Sequence, residues 1–287
     1  MLEASLFGLA CAFLWGMSDY FLSKGSKKLN LYVSNVFLKV PGLVLLVPFV
    51  LYRGFDVAVD KHFLILALAG LINMLAYFFH TKALSLGKAG VVVSIGSIYP
   101  IFTLIFSVVA VGLNLSWTNA ALFILITVGV FFISSSDKVF NLKQFRAKPI
   151  LYALLSAVAL GVNFGLLGFI KGVYEWQELL LVIGSFMFIF SLLMYRFQPR
   201  IKRVNFSKQL KHAKFTIIAG TLLTLGSFFY YIGFEKTGAV TVLTIFSSTS
   251  PLFVIALGRY FNKETLHSYQ YFGVVLVLGG VILLNTL

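Results

Sequence analysis

The chain of 287 residues is 60% apolar and 16% aromatic, with only 11% charged residues and a mean hydropathy of +0.97. A soluble domain carries about 25% charged residues, so too little polar surface exists to cover a water-soluble globule, and an integral, multi-pass membrane protein is expected. The net charge of +14 is spread through joints between apolar segments, which argues against nucleic acid and for topology signals, and the single Cys11 excludes a disulfide framework or a multi-cysteine metal site.

A spanning helix needs roughly 20 mostly apolar residues. Such runs predict ten spans at 4–23, 32–52, 63–82, 88–111, 117–135, 150–170, 178–196, 214–233, 238–260 and 268–286. The two longest joints are KVFNLKQFRAKP (138–149) and RFQPRIKRVNFSKQLKHAK (196–214), and no length remains for a soluble or catalytic module. The first run lacks a basic start and a small-x-small cleavage site, so it is read as a helix and not as a signal peptide.

Span 1 contains FLWGMSDYFLSK (13–24), where Asp19 places a carboxylate in an apolar helix. Such a group costs several kcal/mol unless something answers it. Span 2 carries Lys39 eight residues in, just before Pro41, with no acid near it in sequence. If spans 1 and 2 form an antiparallel hairpin, a rise of 1.5 Å per residue puts Asp19 and Lys39 within about 4–5 Å in depth. Three readings stay open: an intramembrane ion pair, Lys39 snorkelling alone, or separate functional roles.

Span 3 carries Asn73, Tyr77 and His80 at i, i+4 and i+7, one helical face. His80 is the sole histidine inside a predicted span, and an ordinary pKa near 6.5 suits it to proton coupling; a seat among lipid headgroups is the plain alternative. Span 4 offers Ser94, Ser97 and Tyr99 around Pro100, and span 6 offers Asn163. Span 8 presents Thr224, Phe228 and Tyr231 on one face with Ser227 nearby, and span 9 has Thr241, Thr244, Ser247 and Ser248 ahead of Pro251. A proline inside a membrane helix frees backbone carbonyls that neighbouring hydroxyls or water must satisfy, so Pro100 and Pro251 are candidate hinges. For each Ser or Thr the plain reading is interhelical packing or a bond to its own helix.

The chain also repeats. Aligning AYFFHTKALSLGKAGVVVSIGSIYPIFTLIF (76–106) with SFFYYIGFEKTGAVTVLTIFSSTSPLFVIAL (227–257) puts Gly87 on Gly238 and Pro100 on Pro251, and the ungapped register continues to Gly129 on Gly280. In a second register the first spans match, with Gly8, Ala12 and Gly16 on Ala153, Ala157 and Gly161, and Asp19 on Phe164. Both rows form the every-fourth small-residue stripe that lets membrane helices approach closely. The expected fold is therefore all-α, with ten transmembrane helices in two inverted five-helix repeats: 1–137, a linker at 138–149, and 150–287.

The segment ALSLGKAGVVVSIGSIYP with its partner, the closing FNKETLHSYQYFGVVLVLGGVILL, and the LWG at 14–16 together resemble the drug/metabolite transporter superfamily, in particular its EamA-like branch. The resemblance covers the whole chain. It implies a central cavity lined by spans 1, 3, 4, 6, 8 and 9, with 2 and 7 flanking and 5 and 10 peripheral, and it adds Trp15 to the candidate substrate contacts. It also implies cytoplasmic termini. The basic joints argue the reverse, because most Lys and Arg follow spans 1, 3, 5, 7 and 9.

The resulting expectation is a secondary transporter of a small organic metabolite, an amino acid, amine or similar polar or amphipathic solute, working by alternating access. A headgroup flippase or an ion channel of similar architecture is the alternative. The absence of a G-x-x-x-x-G-K-[ST] motif removes ATP as direct energy source. With Asp19, Lys39, His80 and little else titratable inside the membrane, an enzyme is not expected. No cofactor or metal is anticipated. The expected setting is a prokaryotic cell membrane, the expected partners are substrate and lipid bilayer, and the expected state is a monomer or homodimer.

Overall fold

The computed structural model describes residues 2–53, 59–87, 89–110, 112, 114, 116–134, 148–198, 209–262 and 267–286. Among them the chain is helical, without strands. A bilayer core offers no water to bond a backbone amide, so an apolar chain must close its hydrogen bonds within itself. The α-helices are α1 (Leu2–Gly25), α2 (Leu31–Arg53), α3 (Lys61–Leu86), α4 (Ala89–Gly96), α5 (Tyr99–Ala110), α6 (Trp117–Ser134), α7 (Lys148–Leu166), α8 (Trp176–Arg196), α9 (Lys214–Thr237), α10 (Val240–Ser247), α11 (Ser250–Asn262) and α12 (Ser268–Thr286). Among the described residues, seven segments are long and apolar enough to cross a membrane: Leu2–Gly25, Leu31–Pro48, Lys61–Leu86, Lys148–Ile170, Trp176–Arg196, Lys214–Thr237 and Val240–Phe261. Most of the anticipated 138–149 linker and the centre of the 196–214 joint lie outside the described residues.

Helix ends follow local chemistry. Asp60 caps α3, its Oδ1 accepting from the amides of His62 and Phe63 at 2.9 and 3.1 Å. Glu175 and Glu178 form a reciprocal capping box at the start of α8. Gly238, at φ +59, ends α9 in the left-handed conformation and donates its amide to the Phe234 carbonyl at 2.7 Å. Its repeat mate Gly87 ends α3 in extended backbone, so the matched glycines terminate their helices differently.

The fourth and ninth predicted spans are each broken into two helices, and the breaks correspond residue for residue. Ser97–Ile98 separates α4 from α5, and Ser248–Thr249 separates α10 from α11. The amides of Ile98 and Thr249 each reach back three residues, to Ile95 and Phe246 at 3.4 and 3.1 Å. Pro100 and Pro251 stand second in α5 and α11, a first-turn position where a proline's missing N–H costs nothing. The prolines thus begin new helices instead of bending continuous ones.

Packing respects the same correspondence. The most extensive contacts are α1 on α9, α3 on α7, and α6 on α12, followed by α5 on α7, α2 on α8 and α9, α3 on α8, and α1 on α10 and α11. Exchanging the halves turns α1–α9 into α7–α3 and α2–α9 into α8–α3. The same exchange leaves α6–α12 and α2–α8 unchanged. Close approach depends on paired glycines. A Cβ on Gly16 would meet the Ser250 carbonyl oxygen at 2.7 Å, and one on Gly161 would meet the Tyr99 carbonyl oxygen at 2.9 Å, with Phe102 closer still. Ser250 and Tyr99 are themselves matched positions.

Overpacking of this kind costs about 1–3 kcal/mol. Gly161→Ala is therefore expected to lower stability by that amount in a detergent melt, whereas Gly279→Ala, where no atom lies within 4 Å, is expected to be neutral or better. A second prediction concerns Asp60, whose carboxylate is held down to about 2 by the bonds from the His62 side chain and the Phe63 amide. A depressed carboxylate contributes stability above its unfolded value of about 3.9 and loses it as pH falls through the folded value. The Tm gap between wild type and Asp60→Ala should close as pH falls from 4 towards 2.

Candidate functional site

Two cavities lie between the halves. The first, with an empty volume of about 650 Å³, is lined by α1, α2, α3, α7, α8 and α9; the second, about 480 Å³, by α1, α3, α4, α5, α7, α9 and α11. They share Trp15, Tyr77 and Leu223, so these side chains form the partition between them. Trp15 is fixed on both counts that matter to an indole. Its Nε1–H donates to the Leu223 carbonyl at 3.1 Å, and its ring stacks on Phe164 and Tyr230 at 5.9 and 5.8 Å. A Cβ on Gly226 would collide with that ring, so the glycine gives the indole its seat against α9.

The second cavity holds Asp19, and Asp19 meets His80. The carboxylate Oδ1 stands 2.9 Å from His80 Nε2. Which of the two carries the hydrogen depends on the imidazole tautomer, and His80 Nδ1 is buried without a partner among the described residues. Ser97 and Tyr99 line the same cavity. Tyr99 is held by a 2.7 Å hydroxyl contact with Ser247.

The first cavity holds Lys39 with Asn73, Thr224, Ser227 and Tyr231. Lys39 is 7% exposed, and its Nζ lies 3.6 Å from the Tyr77 ring centroid. No hydrogen-bond partner meets that Nζ among the described residues, which removes the snorkelling reading. A desolvated cation–π contact is worth about 2 kcal/mol, against an effective penalty of several kcal/mol for a buried ion, so Tyr77 answers Lys39 only in part. The Asn73 amide oxygen beside it is also unpaired.

The structure does not bring Asp19 to Lys39. Depth was estimated for a packed α1–α2 hairpin, but α2 packs chiefly on α8 and α9, and α9 also covers α1. Similar depth on helices separated by a third does not bring side chains together. The separate-roles reading is the one the geometry carries.

Of the other candidate residues, Asn163 is fully buried with neither amide atom paired and lines neither cavity. Thr244 bonds the Tyr230 hydroxyl at 2.8 Å and its own helix at Val240, while Ser248 bonds the Ile245 carbonyl; both lie outside the cavity walls. Ser97, Thr224 and Ser227 line cavities yet also donate to carbonyls four residues back, leaving only lone pairs to offer. Ser94 sits in α4 with its side chain outside the described residues. Sequence reasoning missed the apolar walls: Leu43 and Leu46 of α2 and Leu180, Ile183 and Met187 of α8 line the first cavity directly, where flanking positions were expected. It also missed Ser156 and Ser250 in the second.

A double-mutant cycle checks this arrangement. Asp19→Ala with His80→Ala should show a coupling of about 0.5–3 kcal/mol, whereas Asp19→Ala with Lys39→Ala should be additive within about 0.5 kcal/mol.

The EamA-like transporter family model matches residues 2–135 and 147–286. An uncharacterised transporter of Archaeoglobus fulgidus is 24% identical over 99% of this chain and 98% of its own. An uncharacterised protein of Methanocaldococcus jannaschii is 32% identical over 36% of this chain and 70% of its own. A solved crystal structure superposes with a TM-score of 0.76 at 16% identity, covering 100% of this chain and 97% of that one, a likeness of fold alone. With a family model spanning both halves and a full-length relative described as a transporter, the chain belongs to the EamA-like transporter family, a membrane transporter consistent with the drug/metabolite transporter superfamily.

Proposed function

We propose that the protein is a secondary transporter that carries a small organic solute by alternating access, with ten spans arranged as two inverted five-helix repeats. The observation that carries this reading is the packing exchange between the halves, α1–α9 for α7–α3, together with the matched breaks at Ser97–Ile98 and Ser248–Thr249. Five spans per half is an odd number, so homologous halves enter the membrane in opposite senses, the plan of transporters that rock one repeat against the other around a central site. The two family-matched stretches, 2–135 and 147–286, meet at the 138–149 joint and support the same division. The archaeal relatives support a prokaryotic cell membrane as the location.

In this reading the cavities are the substrate route and the Trp15–Tyr77 partition is the gate between them. The Asp19–His80 pair takes and releases the coupling proton, since each partner's charge changes how the other holds its own. Broken helices at the second cavity suit rocking, because the chain there bends without giving up a continuous ladder of hydrogen bonds.

Proteoliposomes loaded or bathed with a labelled metabolite panel test this directly. Saturable flux of a soluble organic solute is expected. Phospholipid translocation alone would favour a flippase, and ion conductance without solute flux would favour a channel. Asp19→Asn is expected to reduce flux on the order of tenfold, the scale of one hydrogen bond to a charged group, and to flatten its pH dependence. Unchanged kinetics from pH 5 to 8 in that variant would make Asp19 structural.

A further inference from the structure

We infer that the first cavity is an organic-anion site, in which Lys39 receives a carboxylate and the walls of α2 and α8 hold an apolar body. The inference rests on the transport reading for its purpose but not for its geometry. Lys39 is more than nine-tenths buried, and its ammonium meets only the Tyr77 face, with no oxygen to receive its three N–H donors among the described residues. Among the described residues, no Asp or Glu lines the cavity. Asp19, in the adjoining cavity, is engaged with His80 beyond the Trp15–Tyr77 partition. The site therefore holds a cation with no negative charge among its described walls, and a carboxylate supplies one.

The rest of the wall specifies what the anion carries. Leu38, Leu43, Leu46, Leu180, Ile183 and Met187 make the greater part apolar, which suits a hydrocarbon or aromatic body and opposes a polyol. The unpaired Asn73 oxygen accepts an N–H or O–H but repels a second anionic oxygen, so a monoanion fits where a dianion does not. The flexible four-carbon stem of lysine lets the ammonium leave the Tyr77 face to meet the entering head group.

Three probes of one shape separate the chemistries: phenylacetate, phenylacetamide and phenethylamine, titrated against the purified full-length protein in a thermal-shift assay. Phenylacetate is expected to raise Tm saturably and to bind at least tenfold more tightly than the amide, with the amine weakest. Lys39→Met, which removes the lone charge without leaving another, is expected to melt at or above the wild-type temperature and to lose the phenylacetate response, while Lys39→Arg keeps it. Equal binding of acid and amide, tighter binding of the amine, or a full phenylacetate response in Lys39→Met would overturn the inference; the first two comparisons need no variant. Labelled phenylacetate that binds but does not cross proteoliposomes upholds the anion site and removes the transport reading. Phenethylamine flux without phenylacetate binding does the opposite.

Discussion

Water does not push helices together inside a bilayer, so their association rests on close fit. Here two close fits are made at Gly16 and Gly161, where the first helix of each half lies against the broken span of the other. The remaining central geometry depends on those two approaches. They bring Trp15, Phe164, Tyr99 and Tyr230 into one aromatic cluster with centroids 4.7 to 5.9 Å apart, and that cluster backs the wall dividing the cavities.

On the two sides of that wall the chemistry differs. One side pairs a carboxylate with an imidazole. The other holds an ammonium facing a ring, apolar side chains and an unpaired amide oxygen. Separation matters because opposite charges in direct contact would satisfy each other and leave neither available. Keeping Asp19 with His80 and Lys39 with Tyr77 leaves a titratable pair in one compartment and an unanswered cation in the next, only one aromatic side chain away: Tyr77 touches Lys39 and stands edge-on to His80.

Much of this was legible from residue order. Runs of apolar residues located the seven described segments long enough to span, because spanning length is a physical requirement, but not the breaks within the fourth and ninth runs. The Gly87/Gly238 and Pro100/Pro251 register marked the segments where both halves break. The i, i+4, i+7 spacing put Asn73 and Tyr77 on the face that lines the first cavity, and the matching face of α9 supplied Thr224 and Tyr231. Periodicity reports a direction only about a helix's own axis, however. It says nothing about which neighbour lies in that direction, and so Asp19 was matched to Lys39 by depth when α9 stands between their helices. Leu180 and Met187 carry no mark that distinguishes a cavity wall from a lipid face. The hydroxyls of Thr244 and Ser248 look like ligand groups until their own helix is seen to bond them.

What the sequence determined by itself is the class of molecule. Hydropathy places it in the membrane, and residue order alone shows Asp19, Lys39 and His80 among its sparse intramembrane titratable groups. Tertiary structure alone decided which of those charges meet. Partnership in a helical membrane protein is set by rotation and neighbour order, and those are properties of the packed bundle that no single helix encodes.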